Sequence, residues 1–426
     1  MRRFLTLTVK GSISPMSVTE TVPQDQDQDL PSFPFPDTFS PLPSGTLAEI
    51  ARRAPAIRVR FGPGQIPIWL IVRHAPARAM LSDPRFSRTK TLEFRPPLTG
   101  AQIPDPNSLL WLDPPDHTRI RRLVSTGFAH RRIEQLRPWV AETARRHVTA
   151  MTAKDAPADL RAALAAALPV DVICQILGVP EIDRENVRTW SETLFRFATN
   201  REAAAAGQKA LYGYMDSLVR ERQAQLAAGE PVTKLFDVLI TTQDTDDGRL
   251  NEVELRSLAL TLLIGGFETT AGVITNAVTT LLTDRSQWES LVGNPALLPN
   301  AVEELLRYHP LSMTFPRVAT EDVDLGEFTV RAGEVAIAPF AATNRDPDLY
   351  DDPDRLDLTR EPVANLAFGH GAHHCIGAHL ARVELTEVLS ALIDIVPTLR
   401  LAVPVSELRY ELAAPIGRPE KLPVAW

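Results

Sequence analysis

The chain has 426 residues, with 45 lysines and arginines against 53 aspartates and glutamates, and two cysteines. An apolar fraction of 44% excludes global disorder, and two cysteines cannot staple a chain of this length. A formal net charge of −8 excludes a general binder of nucleic acid or of an anionic membrane.

In chain order, residues 1–30 are polar and turn-rich, which predicts a disordered tail and leaves 31–426 as one domain. The apolar run Phe4–Val9 is too short for a signal-peptide core, and Met16 offers a second start. No later run approaches the roughly 20 apolar residues of a membrane span, so a soluble cytoplasmic protein is expected. Ile57–Phe61 and Ile66–Val72 read as strands, joined through Gly62-Pro63-Gly64 as a hairpin. Apolar residues at helical spacing predict helices over Arg132–Met151, Leu160–Leu177, Glu185–Ala198 and Glu202–Ala228. The longest helix is expected over Asn251–Leu282, opened by Asn251 with Glu254 three residues on. Short strands are expected at Thr329–Val330 and Val335–Ala338, and a helix over Ala378–Ala391. The 36 prolines read as punctuation between helices. The fold class is therefore mainly α with a small β region.

The two cysteines read differently. Cys174 lies in an apolar helical run, where a free cysteine behaves as a small hydrophobe. Cys375 stands among Gly369, Gly371 and Gly377, just before a helix. A helix N-terminus favours a thiolate, and a thiolate is a nucleophile or a metal ligand. Three chemistries fit: a nucleophilic cysteine, a zinc site using His370, His373, His374, Cys375 and His379, or thiolate ligation of haem.

Phe368-Gly369-x-Gly371-x-His373-x-Cys375-x-Gly377 resembles the haem-binding signature of the cytochrome P450 superfamily, in its soluble bacterial type. A chance match of six positions has a probability on the order of one in 10⁵, so the resemblance is specific. It spans roughly residues 45–426 and implies a triangular-prism fold, with haem b between a long distal helix and the Cys375 loop.

Further motifs agree in order. Glu304 and Arg307 resemble the buried E-x-x-R pair of that family, with Arg355 as the third basic residue. Gly265-Gly266-Phe267-Glu268-Thr269-Thr270 interrupts the long helix with two glycines, each disfavoured by about 1 kcal/mol against alanine. The resemblance makes this an oxygen-binding groove, with Gly266 and Thr270 beside the cofactor. Glu268 and Thr269 are then an acid–alcohol pair delivering protons. His117, Arg121, Arg317 and His373 resemble donors to the haem propionates. Phe267, Asp116, Leu356 and Asn365 depart from the usual residues at their positions.

The resemblance implies a monooxygenase that hydroxylates a hydrophobic small molecule or couples it through C–C or C–O bonds. A polyketide or a cyclic-peptide or diketopiperazine scaffold from secondary metabolism suits the apolar segments. Those pocket segments are 88–111, Trp190–Phe197, Phe267, Met313, Phe315 and Ile416. Lacking a flavin or iron–sulfur motif, a monomer of this kind takes electrons from a ferredoxin and ferredoxin reductase. Arg119, Arg121, Arg122, Arg131 and Arg132 form the expected docking cluster. The alternatives are a non-catalytic haem- or zinc-binding sensor and a peroxygenase using H₂O₂.

Overall fold

The computed structural model describes residues 29–38, 44–94, 105–195, 201–241, 250–310, 315–411 and 416–426. The expected tail lies outside this range up to residue 28, as do Met313 and the pocket segments 95–104 and 196–197.

The N-terminal part is a sheet with short helices. Strand β1 (Ser32–Phe33) lies parallel to β2 (Ala56–Phe61), and helix α1 (Gly45–Arg53) falls between them in the chain. β2 and β3 (Ile66–Ile71) form the expected hairpin, with Phe61 opposite Ile66. Helix α2 (His74–Ser82) and strand β4 (Phe86–Ser87) follow.

The helical part comprises α3 (Asp116–Ser125), α4 (His130–Thr152), α5 (Ala167–Leu177), α6 (Arg184–Phe195), α7 (Arg201–Ala227), α8 (Leu235–Thr241), α9 (Glu252–Thr283), α10 (Arg285–Gly293) and α11 (Leu298–Tyr308). Strand β5 (Ala158–Asp159) and a π-helical turn (Arg161–Ala165) lie between α4 and α5. The single helix expected over Leu160–Leu177 is thus two pieces. Pro138 lies inside α4, so not every proline is punctuation.

The chain then returns to the sheet with β6 (Arg317–Ala319), β7 (Val323–Asp324), β8 (Thr329–Val330) and β9 (Val335–Ile337), followed by α12 (Phe340–Thr343). Helix α13 (Ala378–Ile395) begins just after Cys375. Strands β10 (Arg400–Leu401), β11 (Tyr410–Glu411), β12 (Arg418–Pro419) and β13 (Pro423–Ala425) finish the chain. The main sheet has the order β1-β2-β3-β9-β6-β4.

The largest hydrophobic core surrounds α9. Its start is a complete capping box: the Asn251 side chain accepts from the Glu254 N–H, and Glu254 accepts from the Asn251 N–H. Apolar residues cover α9 all round, as suits a helix enclosed by others, here α5 and α7 foremost. By length and composition α9 is apolar enough to cross a membrane, contrary to the sequence expectation, but 67% of its most apolar window is buried inside the protein.

Candidate active site

Three groups of residues converge on the chemistry expected of Cys375. The first is its own loop. Cys375 N–H donates to Phe368 O at 2.9 Å, closing the loop on itself. Gly369 and Gly371 both have φ of +72°, where a side chain is strained. A Cβ at Gly371 would lie 2.4 Å from Leu81 O, so the loop rests directly on the end of α2. The Arg382 guanidinium sits 4.6 Å over the Phe368 ring, fixing the loop to α13. Cys375 is solvent-accessible, and neighbouring atoms nevertheless crowd it, so its thiol faces a recess. Burial pushes the thiol up, and the Gly377 N–H, Arg121 and Arg382 only partly oppose this. The helix N-terminus, which the sequence reading takes to favour a thiolate, is thus opposed by burial at this position. A metal cation bound at the thiol would favour the anion.

The second group is cationic. His117 on α3 and His373 in the loop stack with ring centroids 4.1 Å apart. Arg121, one turn beyond His117, donates to His374 O at 2.6 Å. Arg317 on β6 is buried, and its Nε and Nη2 have no partner among the described residues. Sequence reasoning missed a further member, Arg88. It is buried, donates to Leu110 O at 2.9 Å, and leaves Nε without a partner among the described residues. Asp113 accepts from the backbone N–H groups of Arg88 and Thr89, holding this segment in place. No sequence pattern marks Arg88, because only the fold brings strand β4 beside β6.

Burial and nearby guanidinium groups push His117 down to about 4 and lower His373 further, so both imidazoles are neutral near pH 7. The fixed charges are then three guanidinium groups against the Asp113 carboxylate. The excess of two positive charges matches the two propionates of haem, and the orphaned donors match their oxygens. These residues fit haem b.

The third group is on α9. Thr269 Oγ1 donates to Gly265 O at 2.7 Å, and a Cβ at Gly265 would meet nothing within 4 Å. Gly265 and Thr269 thus share an open face. Gly266 is different: its Cβ would lie 3.0 Å from Ile173 Cδ1 on α5. Gly266 serves helix packing, which corrects its assignment to the cofactor. Thr270 is buried. Phe267 is fully buried in the main core, so it is not a pocket wall. It stands two residues from Gly265, about 200° around the helix and on the opposite face. Glu268 is also buried, ion-paired to Arg418 of β12.

The remaining candidates divide. Phe315 packs edge-on against Trp111 at 5.1 Å, with Arg88 5.2 Å over its ring. Ile416 Cβ lies 3.1 Å from where a Gly272 Cβ would stand. Glu304 and Arg307 form a buried bidentate pair at 2.6 and 2.8 Å. Their basic partner is Arg360, 3.2 Å from Glu304 Oε1, and not Arg355. The Arg355 side chain is 65% exposed and turns to Asp352 and Asp357; only its carbonyl joins the network. Arg119 pairs with Glu254, so it leaves the expected docking cluster. Arg122, Arg131 and Arg132 are exposed.

The zinc alternative finds no convergence on Cys375. Among the described residues, the potential ligand atoms that meet within 4.8 Å belong to His130, Glu134 and His379. Arg137 already binds both Glu134 oxygens.

Comparisons with known proteins point to one family. The profile described as Cytochrome P450 matches residues 188–292 and 287–395. The chain is 41% identical over 403 residues to a nocardicin C N-oxygenase of Nocardia uniformis subsp. tsuyamanensis, covering 93% of this chain and 99% of that one. It is 40% identical over 399 residues to a mycinamicin IV hydroxylase/epoxidase of Micromonospora griseorubida, covering 93% and 98%. The crystal structure of a cytochrome P450 hydroxylase from the leinamycin biosynthetic pathway of Streptomyces atroolivaceus S-140 superposes with a TM-score of 0.84 at 39% identity, covering 93% of this chain and all of that one.

Proposed function

The chain belongs to the cytochrome P450 family and is a haem b monooxygenase, and on that premise we propose that it tailors a hydrophobic secondary metabolite with Cys375 as the iron ligand. The observation that carries the assignment of the site is the buried cationic group beside a recessed thiol. Arg88, Arg121 and Arg317 offer two charges more than Asp113 cancels. His117 and His373 add neutral donors suited to a carboxylate.

When bound, haem supplies the activation of O₂ by two electrons and the insertion of one oxygen atom into the substrate. The protein's own residues do the rest. Thr269 donates to Gly265 O, so its lone pairs remain free to accept a hydrogen bond on the open face of α9. It therefore positions water there and hands on a proton at Oγ1. Glu268 reloads that proton from within the helix packing. This pair favours O₂ chemistry over peroxide use and over a passive sensor. Phe315, Trp111 and Ile416 supply apolar surface for the substrate. By their names the relatives act on mycinamicin IV and on nocardicin C; for this chain a polyketide or a cyclic peptide or diketopiperazine is the proposed scaffold, hydroxylated or coupled.

The monomer takes electrons from a ferredoxin with its reductase in the cytoplasm. The docking surface uses Arg122, Arg131 and Arg132 on the ends of α3 and α4. Reversing Arg122 and Arg131 to glutamate is expected to slow ferredoxin-driven reduction at low salt; an unchanged rate would remove this surface.

The absorption spectrum of the reduced, CO-bound protein tests the central assignment. A strongly red-shifted Soret band is expected in the wild type and is lost in Cys375→Ala. A band unchanged in that variant would overturn the reading. Thr269→Ala is expected to retain the band but to release reducing equivalents as peroxide; tight coupling in that variant would take Thr269 out of proton delivery.

A further inference from the structure

The C-terminal hairpin of β11 and β12 is bound to one stripe of α9. Positions 268, 272 and 276 are four apart and share a face. Asn276 Nδ2 donates to Gly417 O at 2.8 Å, Ile416 covers Gly272, and Arg418 Nη2 donates to Glu268 Oε1. The strand register places Glu411 opposite Arg418, and Glu411 Oε2 is 3.2 Å from Arg418 Nη2. A second guanidinium, Arg161 from the π-helical turn, lies 4.0 Å from Glu268 Oε1 and 3.9 Å from Glu192 on α6. These four groups, from β11, β12, α6 and the π-helical turn, are the charges around Glu268.

The pairing differs from a purely structural one. Glu304 and Arg307, equally buried, are joined by both oxygens. Glu268 is held through Oε1 only; Oε2, and Nε and Nη1 of Arg418, have no partner among the described residues. A half-satisfied buried carboxyl is unfavourable and calls for an explanation, and a role in handling the proton supplies one. Burial drives Glu268 towards the neutral acid, and Arg418 is the strongest opposing influence, ahead of Arg161. Glu411 and Glu192 are each 24% exposed at the side chain, so each guanidinium links the buried carboxyl to a carboxylate at the surface.

We propose that Arg418 is a positioning residue for proton delivery: it anchors Oε1 of Glu268 and leaves Oε2 as the atom that takes and gives the proton. The inference rests on the role given to Glu268 above. Glu411 shares the guanidinium and moderates its hold. Without Arg418, the carboxyl stays protonated to higher pH and gives up its proton less readily.

The test reads the carboxyl directly, then turnover. Infrared difference spectra of protein labelled with ¹³C-glutamate identify the protonated Glu268 carbonyl as the band missing in Glu268→Gln. In Arg418→Gln that band should persist to a pH higher by about one unit or more. Arg418→Lys should bring it back towards the wild-type position. Product formed per electron pair should fall roughly tenfold in Arg418→Gln, less than the roughly hundredfold or more that a general acid contributes, because the carboxyl itself remains. In a Glu268→Gln background the same change should have no further effect, because Arg418 acts through Glu268. A band at the wild-type pH, or equal uncoupling in both backgrounds, would overturn the proposal. If Arg418→Gln fails to fold, Arg418→Lys and Glu411→Gln carry the test. Glu411→Gln should move the titration to lower pH, and no movement in either variant also overturns it. Full coupling in Glu268→Gln would instead remove Glu268 from catalysis, while the infrared result still decides the link to Arg418.

Discussion

Arg307 meets five acceptors: both oxygens of Glu304 and the backbone carbonyls of Asn344, Pro353 and Arg355. Replacing it with lysine keeps a charge but loses the planar fork. Arg307→Lys should destabilise the fold by about 3 kcal/mol, as for other broken buried pairs. Arg355→Ala should stay within about 0.5 kcal/mol, because its side chain lies in solvent. Denaturant midpoints of the two variants decide between Arg355 and Arg360 as the partner of Glu304; a large loss in Arg355→Ala would restore the sequence reading. His309 gives a pH signature. It is buried against Thr280 Oγ1 at 2.8 Å, and burial with Arg345 and Arg307 lowers it to about 3. Above its ordinary value of 6.5 the imidazole is neutral in both folded and unfolded chains. As pH falls below that value, only the unfolded chain gains the proton. Stability should therefore decline by up to about 1.4 kcal/mol per pH unit from this group, levelling off near its folded value. His309→Gln should flatten that part of the profile in equilibrium unfolding between pH 7 and 4.5; an unchanged slope would mean His309 is not the group responsible.

At the scale of elements, α9 separates two glycines that look alike in sequence. Gly265→Ala meets no protein neighbour and should stabilise the helix of the cofactor-free protein by about 1 kcal/mol. Gly266→Ala presses on Ile173 and should lose roughly 1–3 kcal/mol to overpacking, recovered in part by Ile173→Val. Thermal unfolding of the three variants checks both signs. The long helices α4, α7, α9 and α13 and the first hairpin were legible because their apolar periods are long, whereas the short helices α1, α2, α8 and α10 were not expected. Strands β10 to β13 were not expected: two or three residues carry no period, and they lack the β-branched runs that marked β8 and β9. The Cys375 loop was legible as a motif, whereas Arg88 was not, because only tertiary pairing of β4 with β6 brings it there. Phe267 was misplaced although its helix phase could have been counted: residues at i and i+4 from Gly265 share its face, and i+2 does not. Arg355 and Arg360 are both plausible by composition, and the direction of a side chain in a turn is not written in its spacing.

At the scale of the whole molecule, the helical core carries α9 and the C-terminal hairpin, while the sheet carries Arg317 and supports the cationic group. The two halves meet at the Cys375 loop, which rests on α2 through Gly371 and continues into α13. A bulky change at Gly371 therefore disturbs both. Gly371→Ala should lower the yield of cofactor-loaded protein, because the intruding Cβ faces a backbone carbonyl that cannot rotate away. The ratio of Soret to protein absorbance measures it, and an unchanged ratio would show that the loop adapts.

The parallel pairing of β3 with β9 also governs how the chain is born. Residues 68–70 find their partners at 335–337, some 260 residues later. At about 5–20 residues per second, a ribosome takes roughly 13–50 s to bridge that interval. During this time the hairpin has an open edge, a template for intermolecular pairing. A nascent chain stalled near residue 330 should expose β2–β3 to protease, and one released beyond residue 340 should protect it.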